Sequence, residues 1–243
     1  MALTKISLAE TVKKQYRYKL KANIDALSSL VFVQALAILF SLGGVVSSGG
    51  GSSSGFSYNA NYYTADLIIV FTMVWAFTTA ITITTKAYRY HDFTFITNRL
   101  SSSLSNVLFL VTVSLLGAAL SLLAGNLLKF IMYIQLEDPL YGIHVALVEI
   151  LIGVIATFLY VLLFGALGYF VGTLVQVNKL FAGIFPILFI GSLIPPAFTL
   201  PADIVQFYGF ESSLIVFTIK ASATVTILFA VSTRIWKRLE VRS

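Results

Sequence analysis

Six apolar stretches of about twenty residues or more, each closed by charge or by a cluster of Gly, Pro and Ser, constrain this chain more than any other feature. They cover 26–46, 66–85, 103–125, 145–175, 180–198 and 212–233. A hydrocarbon layer about 30 Å thick needs roughly 20 helical residues to cross it, and backbone amides inside it must be satisfied within the segment. The pattern therefore predicts an all-α membrane protein, six transmembrane helices in a single domain over 1–243. With 58% hydrophobic against 11% charged residues and a mean hydropathy of +0.92, a soluble core and a disordered chain are both excluded. There is no cysteine, which removes disulfides, thiolate metal ligands and Cys nucleophiles.

The net charge of +6 reads as membrane topology, and nucleic acid is not expected as a partner. Lys5, Lys13, Lys14, Arg17, Lys19 and Lys21 precede the first run, and Lys86, Arg89 and Arg99 join the second to the third. Lys179 joins the fourth to the fifth, and Arg234, Lys237, Arg238 and Arg242 follow the sixth. Fourteen of the sixteen basic residues thus fall on one side of an even number of crossings. Cytoplasmic loops retain positive charge during insertion, so both termini are expected inside. The opposite side holds Asp66, Glu137, Asp138, Glu149, Asp203 and Glu211, with Lys129 and Lys220. The first run is expected to stay in the chain, because about 25 residues precede it and no small-residue cleavage pattern ends it.

The connections carry further expectations. Leu8, Val12, Tyr16 and Leu20 recur every four residues opposite a basic side, which predicts a helix over 1–22 lying along the inner membrane surface, its Lys and Arg stems reaching anionic headgroups of membrane lipids. Residues 47–63 form a Gly/Ser tract without charge and are expected to be flexible coil, with Tyr58, Tyr62 and Tyr63 at headgroup level. Residues 129–144 are expected to skim the outer interface or to extend the third span. The fourth run, about 31 residues, reaches about 46 Å if helical throughout, and its inner half holds Gly165, Gly168 and Gly172. The last two have a spacing that permits close helix approach. After the fifth run, Pro195, Pro196 and Pro201 prevent one straight helix from continuing. That piece is expected at the outer interface, or dipping back into the membrane while shielded by protein.

The connection over 86–100 is too short for a domain and longer than a tight turn. It places Arg89, Tyr90, His91, Asp92, Phe93, Phe95 and Arg99 together, a mixture expected of a short amphipathic helix that presents a face to another protein. His91 has no second imidazole or carboxylate pair beside it, so no metal site is expected. Glu149 and Lys220 lie at comparable depth below the outer ends of the fourth and sixth runs. They are expected to pair, or Lys220 to snorkel outward. His91 and His144 are both far from mid-bilayer, and paired span aspartates, a His-Glu-x-x-His motif and G-x-x-x-x-G-K-[ST] are all absent. Intramembrane protease chemistry and ATP binding on this chain are therefore not expected. The chain is expected to be no enzyme and to carry no cofactor.

This order of elements resembles the permease subunits of type-2 ABC exporters, across nearly the whole chain. The stretch Asp92-Phe-Thr-Phe-Ile-Thr-Asn-Arg-Leu100, followed by Ser101-Ser-Ser-Leu-Ser-Asn106, is similar to the Thr-Asn-Arg segment of small Gram-positive permeases of this kind. The resemblance implies a half-transporter in the plasma membrane, in which two six-span subunits, identical or homologous, pair face to face. Two copies of a separate ATPase would supply ATP and magnesium. By analogy 86–100 is the coupling helix, 1–22 braces it, 176–179 makes a second contact and the segment marked by Pro195, Pro196 and Pro201 is re-entrant. The implied cargo is amphipathic or apolar, a peptide, lipid-like molecule or drug moved outward. Two other classes fit the residues: a membrane-embedded peptide immunity or sensor protein without transport, and a secondary transporter. The second is weakened by the lack of a chain of intramembrane carboxylates.

Overall fold

The computed structural model describes residues 7–43, 46–51, 57–62, 64–85, 88, 99–135, 146–192, 200–209, 211 and 213–238. In chain order these form α1 (Leu8–Ala22), α2 (Ile24–Ser41), β1 (Val46–Gly51), β2 (Ser57–Tyr62), α3 (Asp66–Thr84), α4 (Arg99–Gln135), α5 (Leu147–Val177), α6 (Phe181–Ser192), α7 (Leu200–Gly209) and α8 (Leu214–Arg238). Five of them, α2, α3, α4, α5 and α8, are long and apolar enough to cross a membrane. Large apolar side chains stand exposed on their outer faces, among them Phe32, Phe40, Leu123, Leu151, Ile219 and Ile227. Apolar surface left in water costs about 25 cal/mol per Å², so these faces belong in hydrocarbon. The molecule is a multi-pass helical membrane protein.

Side-chain pairings give the helix directions. Trp75 Nε1 donates to Ser29 Oγ at 2.9 Å and Gln34 Nε2 to Thr72 Oγ1 at 3.2 Å, so α2 and α3 are antiparallel. Thr72 lies against Gly117 and Ala65 against Gly125, which makes α3 and α4 antiparallel. Ser114 faces Gly165 and Asn106 meets Tyr169, so α5 reverses α4. Gly168 and Gly172 pack on Phe77 and Ile81 of α3, and α3 and α5 therefore run in parallel. One end of the bundle collects Lys21, Lys179, Arg234 and Lys237; the other collects Asp66, Glu149 and Glu211. We call them the basic and acidic ends.

The parallel run of α5 and α8 shapes the rest. The Tyr160 and Phe217 rings are 4.5 Å apart, those of Tyr169 and Phe229 are 5.8 Å apart, and Trp236 Nε1 reaches Thr173 Oγ1 at 3.0 Å. Residue numbers rise together along both helices, so the chain must return from Val177 to the level of Leu159 before α8 can start. That is about 27 Å of helix. The expected fifth span, 180–198, is described as far as Ser192: α6 has 12 residues with Pro186 inside, about 18 Å. It is too short to cross by itself. Pro195 and Pro196 lie outside the described residues. Pro201 sits in the first turn of α7, where a missing N–H costs nothing, so it opens a helix instead of ending one.

One other expectation is corrected. Part of the tract over 47–63 is paired: β1 and β2 form an antiparallel ribbon with Val46 opposite Tyr62 and Gly49 opposite Asn59. Each strand supplies the hydrogen-bond partners that a Gly/Ser backbone lacks in side chains. α1, capped by Ser7 accepting from the Glu10 amide at 3.2 Å, packs along the first half of α4 with Val12, Gln15 and Lys19 buried. Tyr16 and Lys19 find hydrogen-bonding partners on α4 that acyl chains do not offer. Residues beyond 125 continue α4 to Gln135, a helix of 37 residues, so the extension of the third span is the observed alternative.

Candidate functional site

Polar groups inside the bundle gather in two places. At the basic end, Lys19 is 6% exposed; its Nζ donates to Asn106 Oδ1 and to the Ser102 carbonyl, the latter at 3.4 Å. Asn106 Nδ2 points to Tyr169 OH at 3.5 Å. Tyr169 is fully buried and stands edge-on to Phe229. One turn along α5, Thr173 Oγ1 donates to the Tyr169 carbonyl at 2.7 Å and accepts from Trp236 Nε1. Tyr16 OH meets Thr112 Oγ1 at 2.8 Å. Gln15 is buried beside them in sequence, and among the described residues neither of its amide atoms has a hydrogen-bond partner.

Toward the acidic end, α7 is fastened to the middle of α5 and to the first half of α8. Tyr160 OH donates to the Tyr208 carbonyl at 2.8 Å, and Tyr208 OH meets Thr224 Oγ1 at 2.7 Å. Lys220 forms an ion pair with Glu211, lies 4.2 Å from the centre of the Phe207 ring, and reaches the Phe207 carbonyl at 3.5 Å. A partly shielded ammonium over an aromatic face gains roughly 0.5–2 kcal/mol from the ring quadrupole. This corrects the expected partner of Lys220. Glu149, in the first turn of α5, is exposed, whereas Glu211, between α7 and α8 in the chain, is the carboxylate beside Lys220. The expected match in depth fails too: Tyr160 stands beside Phe217, which sets Lys220 about 20 Å along α5 from Glu149.

The remaining expected residues are placed as follows. Arg89, Tyr90, His91, Asp92, Phe93 and Phe95 lie outside the described residues, and Arg99 opens α4. Among the described residues no three His, Asp or Glu side chains come together as a metal site. Lys19, Asn106 and Tyr169 were missed as a group. The available signals were an amide inside an apolar run and a lysine on the Val12 side of α1, three residues after Tyr16.

Neither cluster holds a nucleophile beside a base. What they do is fix helices to one another, α1 to α4, α5 and α8 at one end and α7 to α5 and α8 at the other. No protein-family model matches the chain, and no match is found among curated proteins or solved structures.

Proposed function

We propose that the chain is the permease subunit of an ATP-driven exporter of the type-2 ABC kind, in the plasma membrane of a bacterium. The observation that carries this reading is the parallel run of α5 and α8, with short, Pro-containing α6 and α7 between them. Two parallel spans need one crossing between them. Residues 178–213 supply it, which brings the count to six with both termini at the basic, cytoplasmic end. In this reading α7 and its surroundings form the outer re-entrant segment, and 86–100 and 176–179 lie inside.

In this reading the connection over 86–100 docks the ATPase. Tyr90, His91, Asp92, Phe93 and Phe95 fill a cleft in that partner while Arg89 and Arg99 reach acidic groups on its rim. Two ATPase copies hold ATP and magnesium, and a second permease subunit faces the first. ATP-driven closure biases the dimer between one arrangement sealed outside and one open outward. The cargo is apolar or amphipathic and enters from the membrane.

Co-expression with a Walker-type ATPase tests the reading. A stable complex is expected, along with ATP-dependent accumulation of a fluorescent amphipathic peptide in inverted vesicles. Peptide binding without ATP-dependent accumulation would instead indicate a sensor or immunity protein. Uptake that follows a proton gradient and ignores ATP would indicate a secondary transporter.

A further inference from the structure

We propose that α1 exchanges between two resting places, the first half of α4 and the bilayer surface at the basic end, and that anionic lipid decides between them. The inference does not rest on the exporter reading. Its origin is a mismatch around the axis of α1. The apolar stripe of that helix is Leu8, Val12, Tyr16 and Leu20, but the residues buried against the bundle are Val12, Gln15 and Lys19. With 3.6 residues per turn, the centres of the two stripes lie roughly 50° apart. Leu8 is consequently 44% exposed, and Tyr16 and Leu20 are only half-buried, while an amide and an ammonium take the dry side. Among the described residues, buried Gln15 has no hydrogen-bond partner at either amide atom. The side of α1 turned away from that seam holds Glu10, Lys13, Lys14, Arg17 and Lys21, all exposed.

A lipid surface fits the stripe that α4 covers poorly. Once α1 has rolled through that angle, Leu8, Val12, Tyr16 and Leu20 enter the acyl boundary together, as the apolar face of an interfacial helix does. Gln15 then lies at one edge of the stripe, within reach of water, and Lys13 lies at the other, with Arg17 beyond it. Both basic stems reach headgroup phosphates from there. Lys13, Lys14, Arg17 and Lys21 outweigh the single acid Glu10 on this side, so the surface that complements it is anionic. The two places are close in free energy because opposing contributions are of similar size. Lys19, bonded to Ser102 and Asn106, holds α1 on α4, and the unsatisfied Gln15 amide works against it. When α1 lifts, water enters behind it at the basic end and takes the place of the ammonium at Asn106, so neither partner is stranded. On α4 the helix braces the first half of that span, Tyr16 against Thr112. On lipid it withdraws the brace, and Asn23 passes the change to α2.

The full chain, free of cysteine, allows a direct test. Spin labels on Ala9→Cys, at the far end of α1, and on Leu116→Cys, on the exposed face of α4, report their separation in lipid nanodiscs. One set of discs holds phosphatidylcholine alone, the other phosphatidylcholine mixed with phosphatidylglycerol. Phosphatidylcholine is expected to give the shorter, docked separation. Phosphatidylglycerol is expected to add a longer one that grows with its share and recedes at high salt. Lys13→Gln with Arg17→Gln, on residues turned away from α4, is expected to cut the longer population roughly tenfold at equal phosphatidylglycerol. Gln15→Leu, which takes the orphaned amide out of the seam, is expected to cut it roughly fivefold. One separation in both lipids, short or long, overturns the exchange. A longer population that ignores phosphatidylglycerol, or survives the Lys13 and Arg17 changes undiminished, makes α1 a loose arm without lipid recognition and overturns the proposal as well. A longer population that rises in Gln15→Leu removes the mismatched seam as its cause and overturns it too.

Discussion

Gly168 of α5 lies directly on the backbone of Phe77 in α3: a Cβ at that position would sit 2.9 Å from the Phe77 Cα and closer still to its carbonyl oxygen. Four residues on, a Cβ at Gly172 would sit 3.1 Å from the Ile81 Cα. The small-residue spacing thus joins two parallel helices of the same chain. Gly168→Ala is expected to force α3 and α5 apart and to cost about 1–3 kcal/mol, as overpacking does in a tight core. A lowered thermal midpoint in detergent checks this, and an unchanged midpoint would mean that the two backbones are not in contact.

The Lys220 and Glu211 pair makes a second prediction. Lys220→Met and Glu211→Gln are expected to destabilise singly and less than additively together, with a coupling of about 0.5–3 kcal/mol. Lys220→Met combined with Glu149→Gln should be additive. Denaturation midpoints of the three single and two double variants, Glu149→Gln alone included, decide between the two carboxylates.

Tyr208 is held twice, through its hydroxyl by Thr224 and through its carbonyl by Tyr160. Tyr208→Phe and Tyr160→Phe each remove one bond, at about 0.5–1.5 kcal/mol apiece. Hydrogen exchange in α7 should quicken in both while α3 and α4 stay as they are. Uniform quickening would point to global destabilisation.

The absence of cysteine makes sidedness directly measurable. With six crossings, a single Lys179→Cys should react with a membrane-impermeant maleimide only after the cells are opened, and Ser213→Cys should react in intact cells. Labelling of both from the same side would remove the crossing assigned to 178–213.

In the exporter reading, Asp92→Ala with Phe93→Ala is expected to abolish stimulated ATP hydrolysis while the permease keeps its thermal midpoint. Undiminished stimulation would remove the docking role of that connection.

Much of the bundle is written in hydropathy, because hydrocarbon punishes an unsatisfied amide or charge at every position and leaves apolar runs with sharp ends. Five of the six runs became spanning-length helices for that reason. Charge placement anticipated the basic and acidic ends, since Lys and Arg sort by side. Depth along a helix is legible in this way, but direction around its axis is not. That is why Gly168 announced a close approach without naming Phe77. Lys220 was matched to a carboxylate wrong in depth as well, because the apolar run over 145–175 does not show which of its turns lie level with the sixth run, and Tyr160 beside Phe217 sets Lys220 about 20 Å along α5 from Glu149. Lys19 was hidden by its company: among six amino-terminal lysines and arginines it counted as one more topological charge, and only tertiary packing distinguishes it from Lys14, which pairs on the surface with Glu10 at 3.0 Å. The ribbon was illegible because Gly and Ser do not favour strands, and pairing depended on two segments meeting.

One residue, Asn23, separates α1 from α2, and it closes α1 by turning both its backbone N–H and its side-chain amide onto the Lys19 carbonyl, each at 2.9 Å. Such a joint has almost no slack. A rotation of α1 by about 10° would sweep its far end through about 4 Å, given a length of roughly 22 Å, and the strain would pass straight into the base of α2. The first two helices thus behave as a bell crank, in which a small push on an arm at the basic end is felt by a rod buried in the membrane.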